Sequence, residues 1–280
     1  MAEWSAQLDH IQIESDNPER LARFYHGTMG MVADRVDRET WLCAAPERRV
    51  LIAPGRPRTL GFGAYRCASA DALAMLRARL ERRGVAVAAA RSPLLAHGGV
   101  AVSDPDGNRL LFGLAHPGSG APPAGAYLRA RLQHVVVATE DPETLVQFYA
   151  DVVGLPISDK VLRDGAITAC WLRTDQEHHS LAIFRTRDPK RRLDHHSYEV
   201  NSWSLVRDWA DHFAGQGIGL TWGPGRHGPG NNLFMMVADP DGNWIEISAE
   251  LEVVADGRPA GIWPHEERTF NRWGPASVTR

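Results

Sequence analysis

The stretch "LDHIQIESDNPERLARFYHGTMGM", residues 8–31, is matched later in the chain by "LQHVVVATEDPETLVQFYADVVGL", residues 132–155. Both copies contain L-x-H, a Pro-Glu pair, Phe-Tyr and a late glycine at one constant offset. Alternating apolar residues after the histidine predict a strand, and a polar residue before Pro-Glu predicts the start of a helix. The match therefore indicates a tandem duplication.

Two further matches follow in the same order. "LGFGAYRCASADALAMLRARLERRG", residues 60–84, aligns with "LDHHSYEVNSWSLVRDWADHFAGQG", residues 193–217. "VSDPDGNRLLFG", residues 102–113, aligns with "VADPDGNWIEIS", residues 237–248. Asp-Gly supplies the positive φ angles of a tight hairpin turn, so D-P-D-G-N predicts a turn into a final strand. Each half is therefore predicted to form about two β-α-β units on a curved sheet around a cavity.

The duplication predicts an α+β protein of two domains with its seam in the Gly/Pro-rich "HPGSGAPPAGAY", residues 116–127. The predicted segments are an N-terminal domain over 1–118, a linker over 119–130, a C-terminal domain over 131–252 and a tail over 253–280. The Pro, Trp and Arg content of the tail suits either a lid over the cavity or an arm between subunits.

The composition excludes several classes of protein. With 44% apolar and 23% charged residues and a net charge of −3, the 280-residue chain is typical of a soluble globular protein. It lacks the long basic run that would favour a nucleic-acid partner. No segment has the roughly 18 apolar residues of a membrane span, and the N-terminus lacks a secretion signal pattern. We therefore expect a cytoplasmic protein, with Cys43, Cys67 and Cys170 as buried thiols.

The repeat provides an internal control for chemistry, because only the second copy carries three candidate metal ligands. These are His134, His195 and Glu246, and the first copy has His10, Phe62 and Leu111 at the equivalent positions. Two imidazoles and one carboxylate form the facial triad that suits Fe(II) or Mn(II) and leaves coordination positions open for reactants. The sequence thus predicts one metal site, in the second half.

The two adjacent histidines of "LDHHSYEV", residues 193–200, must be distinguished. Neighbouring residues of a strand point to opposite faces, so His195 and His196 cannot both face one cavity. Leu8, Leu132 and Leu193 each precede a histidine by two residues. This register predicts that His195 is the ligand and that His196 points away.

The duplicated unit, with its L-x-H openings and D-P-D-G-N turns, resembles the vicinal oxygen chelate superfamily. That superfamily has the glyoxalase–bleomycin resistance–dioxygenase fold of tandem βαβββ modules. The second half resembles its type I extradiol ring-cleavage dioxygenases, of the catechol 2,3-dioxygenase kind, and the resemblance covers roughly residues 6 to 250. It implies metal ligands at His134, at His195 in "LDHHSYEV" and at Glu246 in "NWIEIS".

Two further segments resemble parts of that family's active site. "EHHSLAIF", residues 177–184, implies an acid/base role for His179, and "GPGRHGPGNN", residues 223–232, implies that His227 hydrogen-bonds the substrate oxygen. Val136 and Ala182 align near the oxygen pocket, although apolar packing explains them equally well. Family enzymes commonly have a tyrosine ten residues before the glutamate, where this chain has Met236.

The resemblance implies an Fe(II)-dependent dioxygenase, with Mn(II) as the other candidate metal. It would use O2 to open the ring of an aromatic diol beside its hydroxyls, and would work as a homo-oligomer without nucleic acid or membrane. An apolar wall suits such a substrate, and its predicted members are Trp171, Phe184, Trp203 and Trp222. Two alternatives stay open: a related lyase or isomerase that uses the metal as a Lewis acid, and a protein that binds aromatic compounds without turnover.

Overall fold

The computed structural model describes residues 4–117, 128–188 and 193–274. The first repeat forms a sheet with the strand order β2-β3-β4-β1-β5-β8-β7-β6. Its strands are β1 (Ala6–Ser15), β2 (Val32–Arg35), β3 (Trp41–Ala45), β4 (Arg48–Pro54), β5 (Leu60–Cys67), β6 (Ala88–Ala89), β7 (Val100–Ser103) and β8 (Arg109–Gly113). Two helices accompany them, α1 (Pro18–Gly27) and α2 (Ala70–Arg82).

The second repeat forms a sheet with the order β14-β15-β16-β13-β9-β12-β11-β10-β17. Its strands are β9 (Arg131–Thr139), β10 (Ile157–Arg163), β11 (Ala166–Leu172), β12 (Leu181–Arg185), β13 (Leu193–Val200), β14 (Trp222–Arg226), β15 (Leu233–Ala238), β16 (Trp244–Ala249) and β17 (Gly261–Pro264). The helices are α3 (Pro142–Gln147), which continues as a π-helical turn at Phe148–Val153, α4 (Trp203–Gly215) and α5 (Glu267–Phe270).

The two sheets have the same strand pairing at their centres. Strand β1 is parallel to β4 and antiparallel to β5, which is parallel to β8. Strand β9 pairs in the same way with β12 and β13, and β13 pairs with β16. The predicted α+β fold of duplicated modules is confirmed. The domain boundaries remain predictions, and most of the predicted linker lies outside the described residues.

Equivalent residues begin equivalent helices in the two repeats. Asn17 and Asp141 each accept a hydrogen bond from a backbone N–H of the first helical turn, at 3.0 and 3.2 Å. Ser69 and Ser202 do the same for α2 and α4. Such caps satisfy N–H groups that the helix itself leaves unpaired. Both repeats thus begin their helices at equivalent residues and by the same kind of cap.

The D-P-D-G-N turns form as predicted, with one difference in detail. Strands β7 and β8, and likewise β15 and β16, are antiparallel neighbours on either side of these turns. Gly107 and Gly242 have φ angles of 85° and 78°, whereas no aspartate of the two turns has a positive φ. The glycine alone therefore provides the left-handed conformation, because it lacks a Cβ.

One apolar core extends through both repeats and includes buried faces of α1, α2 and α4. Two hydrogen bonds cross it reciprocally. The hydroxyl of Tyr25 donates to Asp239 of the second repeat at 3.4 Å, and the hydroxyl of Tyr149 donates to Asp104 of the first at 2.7 Å. Burial raises the pKa of Asp239 to about 6 and that of both tyrosines well above 10. The Phe-Tyr motif of each copy is thereby tied to the D-P-D-G-N turn of the other.

Each sheet also buries a smaller apolar cluster apart from this shared core. In the first repeat that cluster contains Phe62 and Leu111, the residues that stand in place of His195 and Glu246.

Along the described ranges of the chain, no helix has both the length and the apolarity to cross a membrane.

Candidate metal centre

The three predicted ligands lie on the three adjacent strands β9, β13 and β16. Nε2 of His134 is 3.4 Å from Nε2 of His195, and these two atoms are 3.8 and 3.7 Å from the carboxylate oxygens of Glu246. All three side chains are buried. One potential ligand atom from each of the three residues lies within 4.8 Å of the other two. Among the described residues, this is the group of histidine, cysteine or acidic side chains close enough to share a metal ion.

Irregularities in the strands give both histidines their orientation. The pairing of β9 with β13 skips Gln133 on one strand and Asp194 on the other. A bulge interrupts the alternation of side chains, so that a residue and its successor can turn toward the same side. Gln133 and Asp194 thereby reach the rings of the histidines that follow them.

These two polar neighbours fix which ring nitrogen faces the centre of the site. Nδ1 of His134 lies 2.5 Å from Oε1 of Gln133, and Nδ1 of His195 lies 2.8 Å from Oδ1 of Asp194. Both oxygens accept, so each Nδ1 donates and the Nε2 lone pair of the neutral ring points inward. Metal-ligating histidines commonly have such a partner on the other ring nitrogen.

The charge state of the site also suits a cation. Burial, together with neighbouring imidazoles, lowers the pKa of His134 to about 3, so its ring is neutral at neutral pH. Burial opposes ionisation of Glu246, but the adjacent imidazoles of His227, His134 and His195 lower its pKa to about 2. Neutral imidazole and ionised carboxylate are the forms that bind metal.

Glu246 has polar neighbours that sequence reasoning missed. Its Oε1 accepts from Oγ of Ser197 at 3.0 Å and from Nδ2 of Asn232 at 3.4 Å. Ser197 is two residues after His195 on the same strand, so strand alternation could have found it. Asn232 comes from the loop after β14, and no local pattern in the sequence indicates its position.

A small cavity adjoins the three residues. Its volume is about 20 Å³, which is room for a water or an ion rather than an aromatic ring. Phe184, Trp222, His227 and Phe270 line it and are partly exposed, so the cavity opens on their side. An aromatic ligand would therefore have to displace these side chains.

The structure brings both predicted catalytic histidines to this cavity. The ring centroid of His179 lies 4.2 Å from that of His134, and burial with the surrounding imidazoles lowers the pKa of His179 well below its usual value. Nε2 of His227 lies 3.5 Å from Oε2 of Glu246, and its Nδ1 donates to the carbonyl of Phe270 at 2.6 Å. The ring of His227 also stacks on Phe234.

The remaining predicted pocket residues divide into two groups. Trp171 and Met236 line the cavity, with Met236 directly opposite Glu246 on the neighbouring strand. Val136 and Ala182 pair across β9 and β12 and pack in an apolar cluster with Trp171, and neither lines the cavity. Their packing explains them without an oxygen pocket.

The predicted aromatic wall was wrong in one member. Phe184 and Trp222 line the cavity as predicted, but Trp203 does not. It stands at the first turn of α4, is 41% exposed and contacts Trp273 edge to face. Trp203 therefore lies at the surface of the protein and not on the cavity wall.

His196 lies on the opposite face of β13, as strand alternation predicts. It is buried, and its Nε2 lies 3.1 Å from the hydroxyl of Tyr25 in the first repeat. It therefore belongs to the contact between the repeats rather than to the cavity.

The tail reaches the cavity. Its strand β17 extends the second sheet beside β10, and Thr269 and Phe270 line the cavity wall. The described part of the tail thus contributes two residues to the cavity wall, and its role as a lid or as an arm between subunits stays a prediction.

The equivalent position in the first repeat is closed. Nδ1 of His10 lies 2.7 Å from a carboxylate oxygen of Asp9, as in the second repeat. Its Nε2, however, lies 2.7 Å from the hydroxyl of Ser92 and does not face a second histidine or a glutamate. The ring of Phe62 packs edge to face against it at 5.7 Å. The first repeat therefore keeps a histidine held by an aspartate, His10, but lacks the other two residues of the triad.

We expect about one metal ion per chain, because the described residues contain one such triad, in the second repeat. Elemental analysis of protein loaded without oxygen measures this directly. His10→Ala should leave the metal content unchanged, since His10 is bonded to Asp9 and Ser92. Two ions per chain, or loss of the ion in His10→Ala, would contradict the prediction.

Comparison with known proteins agrees with this geometry. Residues 131–247 match the model of the Glyoxalase/Bleomycin resistance protein/Dioxygenase superfamily. Metapyrocatechase 2 of Cupriavidus necator is 28% identical over 292 residues, which cover 96% of this chain and 88% of that protein. Biphenyl-2,3-diol 1,2-dioxygenase of Paraburkholderia xenovorans (strain LB400) is 28% identical over 263 residues, which cover 87% of this chain and 83% of that protein.

A solved structure extends the likeness to the whole fold. The Mn(II)-bound glyoxalase from Novosphingobium aromaticivorans superposes with a TM-score of 0.81 at 23% identity, covering 99% of this chain and 95% of that one. At that identity the likeness concerns the fold alone. Residues 131–247, which hold His134, His195 and Glu246, thus form a domain of the glyoxalase/bleomycin resistance protein/dioxygenase superfamily.

Proposed function

We propose that the protein is a metal-dependent extradiol dioxygenase, which opens an aromatic diol beside its two hydroxyls with O2. The observation that carries this proposal is the convergence of two imidazoles, one carboxylate and two further histidines on one buried cavity. The relatives named metapyrocatechase 2 and biphenyl-2,3-diol 1,2-dioxygenase align with most of the chain, which supports the same activity.

We propose that His134, His195 and Glu246 hold Fe(II), with Mn(II) as the other candidate. Nitrogen and carboxylate donors suit both ions, and three protein ligands leave coordination positions for reactants. When bound, the ion supplies positive charge that lowers the pKa of a phenolic hydroxyl and holds the diol beside O2. The bulge residues Gln133 and Asp194 keep both Nε2 atoms directed at the centre of the site that would hold it.

His179 is the proposed acid/base residue. It lines the cavity, and burial keeps its ring neutral at neutral pH, so one of its nitrogens accepts a proton. Its Nδ1 faces His178 at 3.0 Å, which leaves Nε2 for the cavity. From there it would take a proton from the diol and later return one to the opening ring, as general acid/base groups do.

His227 is the proposed partner of the substrate oxygen. Its donation to the carbonyl of Phe270 and its stacking on Phe234 hold the ring in one plane. That plane presents Nε2 to the cavity close to Glu246. A catechol oxygen placed there would be within reach of Nε2, so the tail fixes a substrate-binding group through its backbone.

The apolar lining favours an aromatic substrate. Trp171, Phe184 and Trp222 supply flat apolar surfaces around the polar centre. Such a combination of apolar wall and few polar groups is typical of small-molecule sites. The side chain of Met236 adds a thioether, which accepts hydrogen bonds weakly and donates none.

We further propose a cytoplasmic homo-oligomer with no nucleic-acid partner. The three cysteines are buried free thiols, which suits a reducing compartment. The negative net charge argues against a polyanionic partner. Sedimentation of the purified protein would determine the oligomeric state.

The experiment that tests the function is aerobic turnover of a panel of catechols by protein loaded with iron under nitrogen. We expect one O2 consumed per yellow ring-opened product, followed with an oxygen electrode and by absorbance. Metal-loaded protein that leaves every catechol intact would overturn the dioxygenase. Retained metal with isomerase or lyase activity, or tight catechol binding without turnover, would then favour one of the two alternatives.

A further inference from the structure

A buried line of polar side chains connects the tail to His179 through two residues that have no part in the proposed chemistry. It runs from Asp159 on β10 through His178 to His179. Nε2 of His178 lies 3.1 Å from Oδ2 of Asp159, and Nδ1 of His178 lies 3.0 Å from Nδ1 of His179. All three side chains are at most 3% exposed, so this line is sealed from solvent.

Asp159 is also the anchor of the tail. Its Oδ1 accepts from a guanidinium nitrogen of Arg258 and from the backbone N–H of Gly261, each at 3.0 Å. Its Oδ2 accepts from Nε1 of Trp263 at 3.0 Å. Burial alone would raise the pKa of Asp159, but His178 and Arg258 lower it. The group beside His178 is therefore an ionised carboxylate that accepts hydrogen bonds and cannot donate one.

The carboxylate decides where the hydrogens of the two rings lie. Although the contact is bent, the negative charge 3.1 Å from Nε2 of His178 favours a hydrogen on that nitrogen. The Nδ1 of a neutral His178 is then a lone pair, so the hydrogen between the two rings belongs to Nδ1 of His179. This leaves the lone pair of His179 on Nε2, the nitrogen available to the cavity.

Packing holds His178 in this position. A Cβ added to Gly230 would lie 3.0 Å from Nδ1 of His178, closer than nearly all real contacts. The backbone N–H of His178 donates to the carbonyl of Glu252, and the N–H of Glu252 donates to the carbonyl of Gly230. The ring of His178 therefore has little freedom to turn away from His179.

We propose that Asp159 and His178 are positioning residues that set which nitrogen of His179 carries the hydrogen, and that the tail completes this device through Asp159. Its consequence for turnover rests on the proposed function of His179. The consequence for the hydrogen position does not, and it can be measured in the metal-free protein.

The test uses two variants that each keep one half of the contact. In His178→Gln the side-chain amide nitrogen can occupy the place of Nε2 and donate to Asp159, whereas in His178→Asn the side-chain amide oxygen can occupy the place of Nδ1 and accept from His179. His196→Asn is the matched control, since His196 is equally buried and contacts Tyr25 instead.

The first readout is a long-range proton–nitrogen spectrum of metal-free protein labelled at histidine, with signals assigned by substitution. In the wild type we expect hydrogen on Nδ1 of His179 and a lone pair on Nε2. His178→Gln should abolish this preference, His178→Asn should retain part of it, and the His196→Asn control should leave it unchanged. Hydrogen on Nε2 of His179 in the wild type, or a wild-type signal in His178→Gln, would overturn the proposal.

The second readout is turnover with iron content held equal. Loss of a group that orients a functional histidine typically costs about 10- to 100-fold, so kcat of His178→Gln should fall by that factor with little change in KM. His178→Asn should recover part of the loss. If no protein cleaves catechol but the spectra change as expected, the proposed function fails and the positioning role stands.

Discussion

His195→Ala is expected to lose both its metal and its turnover, whereas His196→Ala should retain both. His195 presents Nε2 to His134 and Glu246, while His196 points into the contact between the repeats. A metal ion contributes several kcal/mol of charge stabilisation, so we expect turnover to fall by about 10⁴-fold or more. Metal analysis and oxygen uptake, measured on the same preparations, provide the two readouts.

His196→Ala is the matched control because it removes an adjacent imidazole of equal burial. Its cost should appear in stability, as the loss of a buried hydrogen bond with Tyr25, of about 1 kcal/mol, plus a cavity. Chemical denaturation measures that free energy of unfolding. Loss of metal in His196→Ala with retention in His195→Ala would show that the strand register is wrong.

His179→Gln is expected to keep its metal and bind catechol while turnover falls by about 10²- to 10⁴-fold, the usual contribution of a positioned acid/base group. His179 contributes no atom to the His134–His195–Glu246 group, so iron content should stay near normal. Met236 strengthens this expectation, because its thioether has no hydrogen to donate and cannot relay a proton as a tyrosine hydroxyl can.

The measurement compares ring-opened product formed by iron-loaded wild type and His179→Gln over the same catechol panel, with catechol affinity determined under nitrogen. Turnover equal to that of the wild type would remove His179 from the chemistry. Loss of iron in the variant would instead assign His179 to the metal shell, contrary to the geometry. His97→Gln, a change at an exposed histidine of the first repeat, is the control for preparation.

The fold could be predicted because the duplication repeats local signals that act over short distances. Asn17 and Asp141 cap their helices through contacts three residues away, and Gly107 and Gly242 close turns of a few residues. The three proposed ligands were also found from the repeat, because β9, β13 and β16 are neighbours and each contributes one of them.

The supporting residues of the site could not be predicted in the same way. The bulges at Gln133 and Asp194 depend on the pairing of two strands, whereas a period of two in one strand assumes that no residue is skipped. The link from Asp159 to Trp263 spans about a hundred residues of chain and leaves no trace in local spacing. Trp203 was predicted on the cavity wall because of its aromatic character, but its position at the start of α4 leaves it at the surface.

The reciprocal hydrogen bonds of Tyr25 with Asp239 and of Tyr149 with Asp104 make each half of the chain depend on the other for the partners of its buried polar groups. A fragment beginning at residue 128 would keep Asp239 and Tyr149 without either partner, and it would expose apolar faces that the first repeat now covers. Two half-chains produced together, by contrast, carry complementary halves of both bonds. The first repeat thus stabilises the second by covering its apolar faces and by pairing Asp239 and Tyr149, which gives a duplicated gene a reason to keep the half without the triad.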